Sequence, residues 1–191
     1  MRFIGIVGRK NSGKSDVVQM LLEYFINVKT LSFSEPIKQS TKIQYLLSDQ
    51  QIGPGKDIED PRWGHTPRTM MRSIGSMMTF LNDDHYVELM KMRLGQVDPT
   101  GLKIVCLSDI RFQNEADYVK EMGGILIHVR EPERDVNSPD FEHWDEHISE
   151  CYSDDIECNY YIENTDESSL CLLYTSPSPR DQRGSRMPSS A

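Results

Sequence analysis

The sequence predicts an α/β fold, a parallel sheet flanked by helices in three layers, and three observations carry that prediction. Apolar runs of strand length alternate with longer helical segments, the pattern of a parallel sheet covered by helices. A glycine-rich turn joins the first strand directly to the first helix in "IVGRKNSGKS". Of the 191 residues, 37% are hydrophobic, enough to build a real core, and the length suggests one domain.

Each element has its own signal. Phe3 to Val7 reads as a buried strand and Val17 to Phe25 as an apolar helix. Lys29 to Phe33 is a short second strand. Ser34-Glu35-Pro36 then opens a helix through about Leu47, with serine as cap and proline in the first turn. Residues 48 to 66 are rich in Gly, Pro and Asp and read as a long loop, of the kind that often carries function. Thr66-Pro67 caps a helix to about Leu81, and Asp84 starts another to Leu94. Leu102 to Leu107 is an apolar strand apart from Lys103, Gln113 to Met122 a helix stopped by Gly123, Ile125 to Val129 a strand, and Asn159 to Ile162 a weaker one. The methionines between Met70 and Met78 are expected in the core, because methionine fills irregular gaps.

The glycine turn follows the pattern G-x-x-x-x-G-K-S through Gly8, Gly13, Lys14 and Ser15. Successive loop N–H groups facing a concavity, a helix N-terminus and a lysine together suit a polyphosphate. Ser15 offers a hydroxyl where such loops hold Mg2+, so a Mg-nucleotide is the expected ligand and a P-loop NTPase fold the expected frame. The second constellation, "IVCLSDIRFQNEAD", ends a strand on Ser108-Asp109 and turns through Arg111 into a helix. In a doubly wound sheet, ligands gather outside the carboxyl ends of the strands, where Asp109 and the Gly8 loop would both lie. Asp109 could hold Mg2+ through water or orient an attacking oxygen. Arg111 could clamp a phosphate with its planar fork. The alternative for this pair is a helix cap beside a solvated arginine.

The bulk properties narrow the partners. A net charge of −9 opposes broad binding to a nucleic-acid polymer or to an anionic membrane. No apolar run approaches membrane-spanning length, and no charged leader with an apolar stretch opens the chain. Cys106, Cys151, Cys158 and Cys171 show no C-x-x-C spacing, and reduced thiols in a cytoplasm are expected. His143 and His147 stand four apart in "EHWDEH", but no third ligand is in view, so no structural metal is assigned. From Leu172 the chain turns to Ser, Pro and Arg, and residues 171 to 191 read as a disordered or artefactual tail.

In order along the chain, "GRKNSGKS", "FSEPIKQ", "WGHTPRTMMRSIGS", "SDIRFQNEAD" and "DEHISE" resemble the blocks of phage-type deoxynucleoside monophosphate kinases over about residues 1 to 170. The resemblance implies transfer of the γ-phosphoryl of ATP, with Mg2+, to a deoxynucleoside 5′-monophosphate, in the cytoplasm or the host cytoplasm, with a homodimer plausible. It assigns Gly8, Asn11, Ser12, Gly13, Lys14 and Ser15 to the donor triphosphate and Arg68 to the acceptor side. Lys14, Asp109 and Arg111 are expected in catalysis, and Arg111 and Glu115 against the substrate. Arg72 stands where the family usually has Gln, and Gly75-Ser76 where it usually has Gly-Thr. His147, Ser149 and Glu150 match the D-x-H-x-S-E block. The family continues into a further C-terminal helix after "IENTDESSL", which is missing here.

Phosphoryl transfer asks a protein mainly to align two anions and neutralise charge on the transferring group. Arg111, Arg68, Arg130 and Arg134 are the available cations, the last two being equally readable as a surface cluster with Glu131 and Glu133. Trp63 supplies a flat face for a base, or else a hydrophobic anchor for its loop, and Arg62, Arg68 and Arg72 supply cations for a monophosphate. Animal-type phosphomevalonate kinases share a similar loop, S-D-x-R block and acidic S-E block, and are the runner-up. A switch GTPase would show an N/T-K-x-D run, which is absent, and a motor ATPase on nucleic acid would need a basic track.

Overall fold

A computed structural model describes residues 1–130 and 153–164, and they fall into two compact units. The first comprises Met1–Thr30 and the described residues from Pro99 onward; the second is Leu31–Asp98. The sheet contains β1 (Arg2–Val7), β2 (Val28–Leu31), β3 (Ile104–Ile110), β4 (Ile125–Arg130) and β5 (Tyr160–Glu163). It is parallel, with the order β2-β3-β1-β4-β5. Placing β1 between β3 and β4 makes its carboxyl end the point where the strand order reverses, the usual ligand crevice of such sheets.

Strand alternation sorts the core of the first unit into two faces. Ile4, Ile6, Ile104, Cys106, Val129 and Ile162 pack in one cluster with Val17 of α1 (Lys14–Tyr24). Gly5 and Leu126 lie on the opposite face with Val119 of α6 (Gln113–Glu121), where a Cβ on Gly5 would meet all their side chains. These are the three expected layers. Cys106 and Cys158 are buried free thiols, and burial pushes both up to about 12.

One strand departs from the expectation. β3 does not stop at Leu107 but runs to Ile110, so Asp109 lies within the strand rather than after it. Gly5 is paired with Leu107 and Val7 with Ile110, which leaves one extra residue on β3 between those two pairs. This β-bulge falls at Ser108–Asp109 and returns Ile110 to the face of Gly5, where its Cδ1 closes over the glycine.

The second unit is helical: α2 (Glu35–Tyr45), α3 (Asp49–Ile52), α4 (Pro67–Leu81) and α5 (His85–Gly95). Leu47, Ile52 and Met70 form a buried cluster in it, with Tyr45 and Met71 packed on that cluster. Met77, by contrast, is exposed, so the methionine run is core only in part. The expected cap at Thr66 is present, its hydroxyl accepting from Thr69 N at 3.2 Å. Ser34 occupies the expected position ahead of α2 but makes no side-chain cap; its hydroxyl instead pairs with Ser32 at 2.9 Å. The long loop is also more ordered than expected, because Ser48 and Gln51 form a reciprocal capping box that starts α3. Among the described residues no helix is long and apolar enough to cross a membrane.

Candidate active site

The glycine loop leaves β1 at Val7, flanked in register by Ile110 of β3 and His128 of β4. Gly8 has φ +147°, and a Cβ there would lie 2.4 Å from Val129 O and 2.8 Å from Ser12 Oγ. Backbone contact on one side and loop closure on the other leave room only for hydrogen. Gly13, at φ +92°, is the N-cap of α1 and faces the side chain of Asn164. Lys14 Nζ folds back onto the loop, donating to Gly8 O at 2.6 Å and to Arg9 O. Asn11 is held at φ 62°, and Ser15 is exposed at the start of α1.

Ser12 is buried at 4% exposure, and its Oγ has no hydrogen-bond partner among the described residues. An unsatisfied buried hydroxyl costs on the order of 1–3 kcal/mol. Set in a loop of left-handed residues at a helix N-terminus, it is a donor awaiting an acceptor. The site therefore fits a phosphate group on the chemistry of its own atoms.

Three groups that the sequence did not single out brace this loop. Arg9 donates to Asp154 Oδ2 from Nε at 2.8 Å and from Nη2 at 2.5 Å, joining the loop to the segment before β5. The other oxygen of Asp154 stands 3.7 Å from Nε2 of the buried His128. Burial first, then the charge of Arg130, lowers the His128 pKa to about 4, so the ring is neutral near pH 7. No local signal marks Asp154, which is 145 residues from Arg9.

The bulge sets Asp109 and Arg111, both half-buried, beside the loop through the pairing of Ile110 with Val7. Glu115 holds the turn that follows. One of its oxygens accepts from Arg111 N at 2.8 Å and from Phe112 N at 3.2 Å. Burial, then the charge of Asp109, pushes this carboxyl up to about 8 against those two donors and Arg111. What Glu115 holds in this structure is backbone. Arg130 is exposed at the end of β4 with its guanidinium 4.9 Å from the Tyr161 ring centroid. Arg134, His143, His147, Ser149, Glu150 and the tail lie outside the described residues.

The remaining expected groups lie in the second unit. Asp60, 3% exposed, accepts from Arg62 N and Nε at 3.0 Å, from Arg62 Nη2 at 2.6 Å and from Gln51 Nε2 at 2.7 Å. The Arg62 side chain holds this carboxyl well below the usual carboxylate range. Arg62 is thus engaged within its own loop. Trp63 donates from Nε1 to Tyr45 O at 3.1 Å and meets the Tyr45 ring edge-on at 5.4 Å, the contacts of a loop anchor, yet it keeps 42% exposure. Arg68, in the first turn of α4, forms a forked pair with Asp57, and Arg72 stands one turn further on, half-buried.

No family model matches the sequence. Among solved structures, the crystal structure of TT1252 from Thermus thermophilus aligns over 87% of this chain and 90% of its own, at 15% identity and a TM-score of 0.46. A protein of Acanthamoeba polyphaga mimivirus described as "Putative deoxynucleotide monophosphate kinase" is 35% identical over 148 residues, 69% of this chain and 75% of the relative. At that identity and coverage, joined to a strand, glycine loop and helix built as above, the chain belongs to the deoxynucleotide monophosphate kinase family.

Proposed function

We propose that the protein transfers the γ-phosphoryl of ATP to a deoxynucleoside 5′-monophosphate, giving the diphosphate for nucleotide supply, with residues 1–170 as the kinase domain. The observation that carries this reading is the glycine loop with its buried Ser12 hydroxyl, which has no partner among the described residues, in a chain of this family. The loop N–H groups and Ser12 receive the donor phosphates, and Lys14 exchanges its loop carbonyls for phosphate oxygens. Ser15, with Asp109 through water, would hold Mg2+. When bound, that ion would neutralise phosphate charge during transfer.

Arg111 steadies the transferring group from the turn that Glu115 fixes. For the acceptor, Trp63 offers its exposed ring to the base, and Arg68 and Arg72 bind the monophosphate. The setting is cytoplasmic, and the working form a homodimer. The test is a coupled ADP-release screen across deoxynucleoside monophosphates, ribonucleoside monophosphates and phosphomevalonate. Turnover of at least one deoxynucleoside monophosphate is expected. Turnover of phosphomevalonate alone would overturn the acceptor and leave only the donor site.

A further inference from the structure

The pair formed by Arg68 and Asp57 has a geometry that bears on how the acceptor is chosen. Arg68 presents the Nε and Nη2 edge of its guanidinium to the two oxygens of Asp57, one contact short and the other 3.0 Å. That fork is the one arginine offers to carboxylate and to phosphate alike. The two partners are unequally placed. The Arg68 side chain is 19% exposed and sits on α4, whereas the Asp57 side chain is 53% exposed on the preceding loop. Arg68 N also donates to Lys56 O at 2.9 Å, which draws the loop to the first turn of the helix just beside Asp57.

We propose that Asp57 is a specificity-determining residue: a resident carboxylate that occupies the phosphate seat on Arg68 and yields it to the acceptor's monophosphate. The inference rests on the reading of Arg68 as the acceptor-side arginine. A phosphate monoester near pH 7 carries close to two negative charges and three acceptor oxygens, against one charge and two oxygens on Asp57. The dianion therefore wins the fork. A nucleoside without phosphate brings nothing to exchange and leaves the pair closed. Because Asp57 is the exposed partner, it can swing into water while Arg68 keeps its place. An exposed ion pair is weak enough to be replaced in this way.

The experiment compares Asp57→Asn, Asp57→Ser and Arg68→Ala with the parent in steady-state kinetics, using the deoxynucleoside monophosphate preferred in the coupled assay. Inorganic phosphate serves as a competitive probe of the acceptor seat. Removing the resident charge should lower the acceptor KM and the inhibition constant for phosphate by about two- to fivefold, the range expected for an exposed pair, while the KM for ATP stays put.

A merely structural tie predicts the reverse: both Asp57 variants raise the acceptor KM and lower the melting temperature. That result, with Arg68→Ala raising the acceptor KM, overturns the exchange and leaves the acceptor reading intact. An acceptor KM unmoved by Arg68→Ala overturns the two together.

Discussion

Replacing Gly8 by alanine tests the loop's geometry most directly. The new Cβ would stand 2.4 Å from Val129 O and 2.8 Å from Ser12 Oγ, whereas real Cβ atoms essentially never approach within 3.0 Å. The serine can rotate, but the carbonyl belongs to β4, paired to β1 through Val7 and His128, so the main chain itself must part by 0.6 Å or more. Added to this is the φ of +147°, a region where side-chain-bearing residues cost on the order of 1–3 kcal/mol. With an overpacking penalty of roughly 1–3 kcal/mol, the total is about 4 kcal/mol.

Gly123→Ala is the control. It too has a left-handed φ, +69°, but nothing lies within 4 Å of its Cβ position, so only the conformational cost of about 1–2 kcal/mol applies. At roughly 2–4 °C per kcal/mol for a chain of this size, Gly8→Ala should melt about 8–16 °C below the parent. The control should lose about 2–8 °C. Thermal and urea melts followed by far-UV circular dichroism give both numbers. Equal losses for the two variants would refute the argument that backbone contact, rather than φ alone, requires glycine at Gly8.

Lys14→Ala should keep the parent's far-UV spectrum while kcat falls on the order of a hundredfold or more, as for other electrostatic stabilisers; near-normal turnover would remove Lys14 from the chemistry. Glu115 binds a proton more tightly folded than unfolded, its pKa being raised from 4.5 to about 8, so its contribution is complete below pH 4.5 and is lost as pH rises toward 8. His128, lowered from 6.5 to about 4, works in the opposite sense below pH 6.5, which leaves pH 6.5–8 as the window that isolates Glu115. Across it the parent should lose up to about 2 kcal/mol that Glu115→Gln does not, and identical urea midpoints at the two pH values for both proteins would sink the assignment. Trp63→Ala should raise the acceptor KM with ATP's KM unchanged and lower the melting temperature through the lost Tyr45 contacts; a stability loss with no change in acceptor KM would leave Trp63 as an anchor alone.

The loop, the strand before it and the helix after it were legible because their information is local: a glycine spacing, an apolar run and a helical period within about 25 residues. The same holds for α4, whose Thr66 cap precedes its proline. What escaped depends on partners distant in the chain or on competition between neighbours. The bulge at Ser108–Asp109 exists only relative to β1, so no inspection of β3 alone could place it. The Arg9–Asp154 pair and the buried His128 are products of the β1-β4-β5 order. Arg62 looked like a cation available to a ligand, but Asp60 two residues before it folds back through a turn and claims the guanidinium. The capping box of α3 was present as S-x-x-Q at Ser48 and Gln51, masked by the glycine and proline that follow.

The bulge also imposes a rule of counting on this stretch of chain. Before it, even-numbered residues of β3 share a face with α1; after it, Ile110 joins the odd-numbered side and closes over Gly5. Every residue from Arg111 through Glu115 inherits that phase. Shortening the chain by one residue between Leu107 and Ile110 would remove the extra residue and leave a regular strand in which Leu107 still pairs with Gly5 and Ile110 with Val7. Both halves would keep their layers, and what would be lost is the local bend that the bulge gives the chain at Ser108–Asp109. The extra residue therefore sets how Ser108 and Asp109 are aimed, while the layers of the core on either side of it would survive its removal.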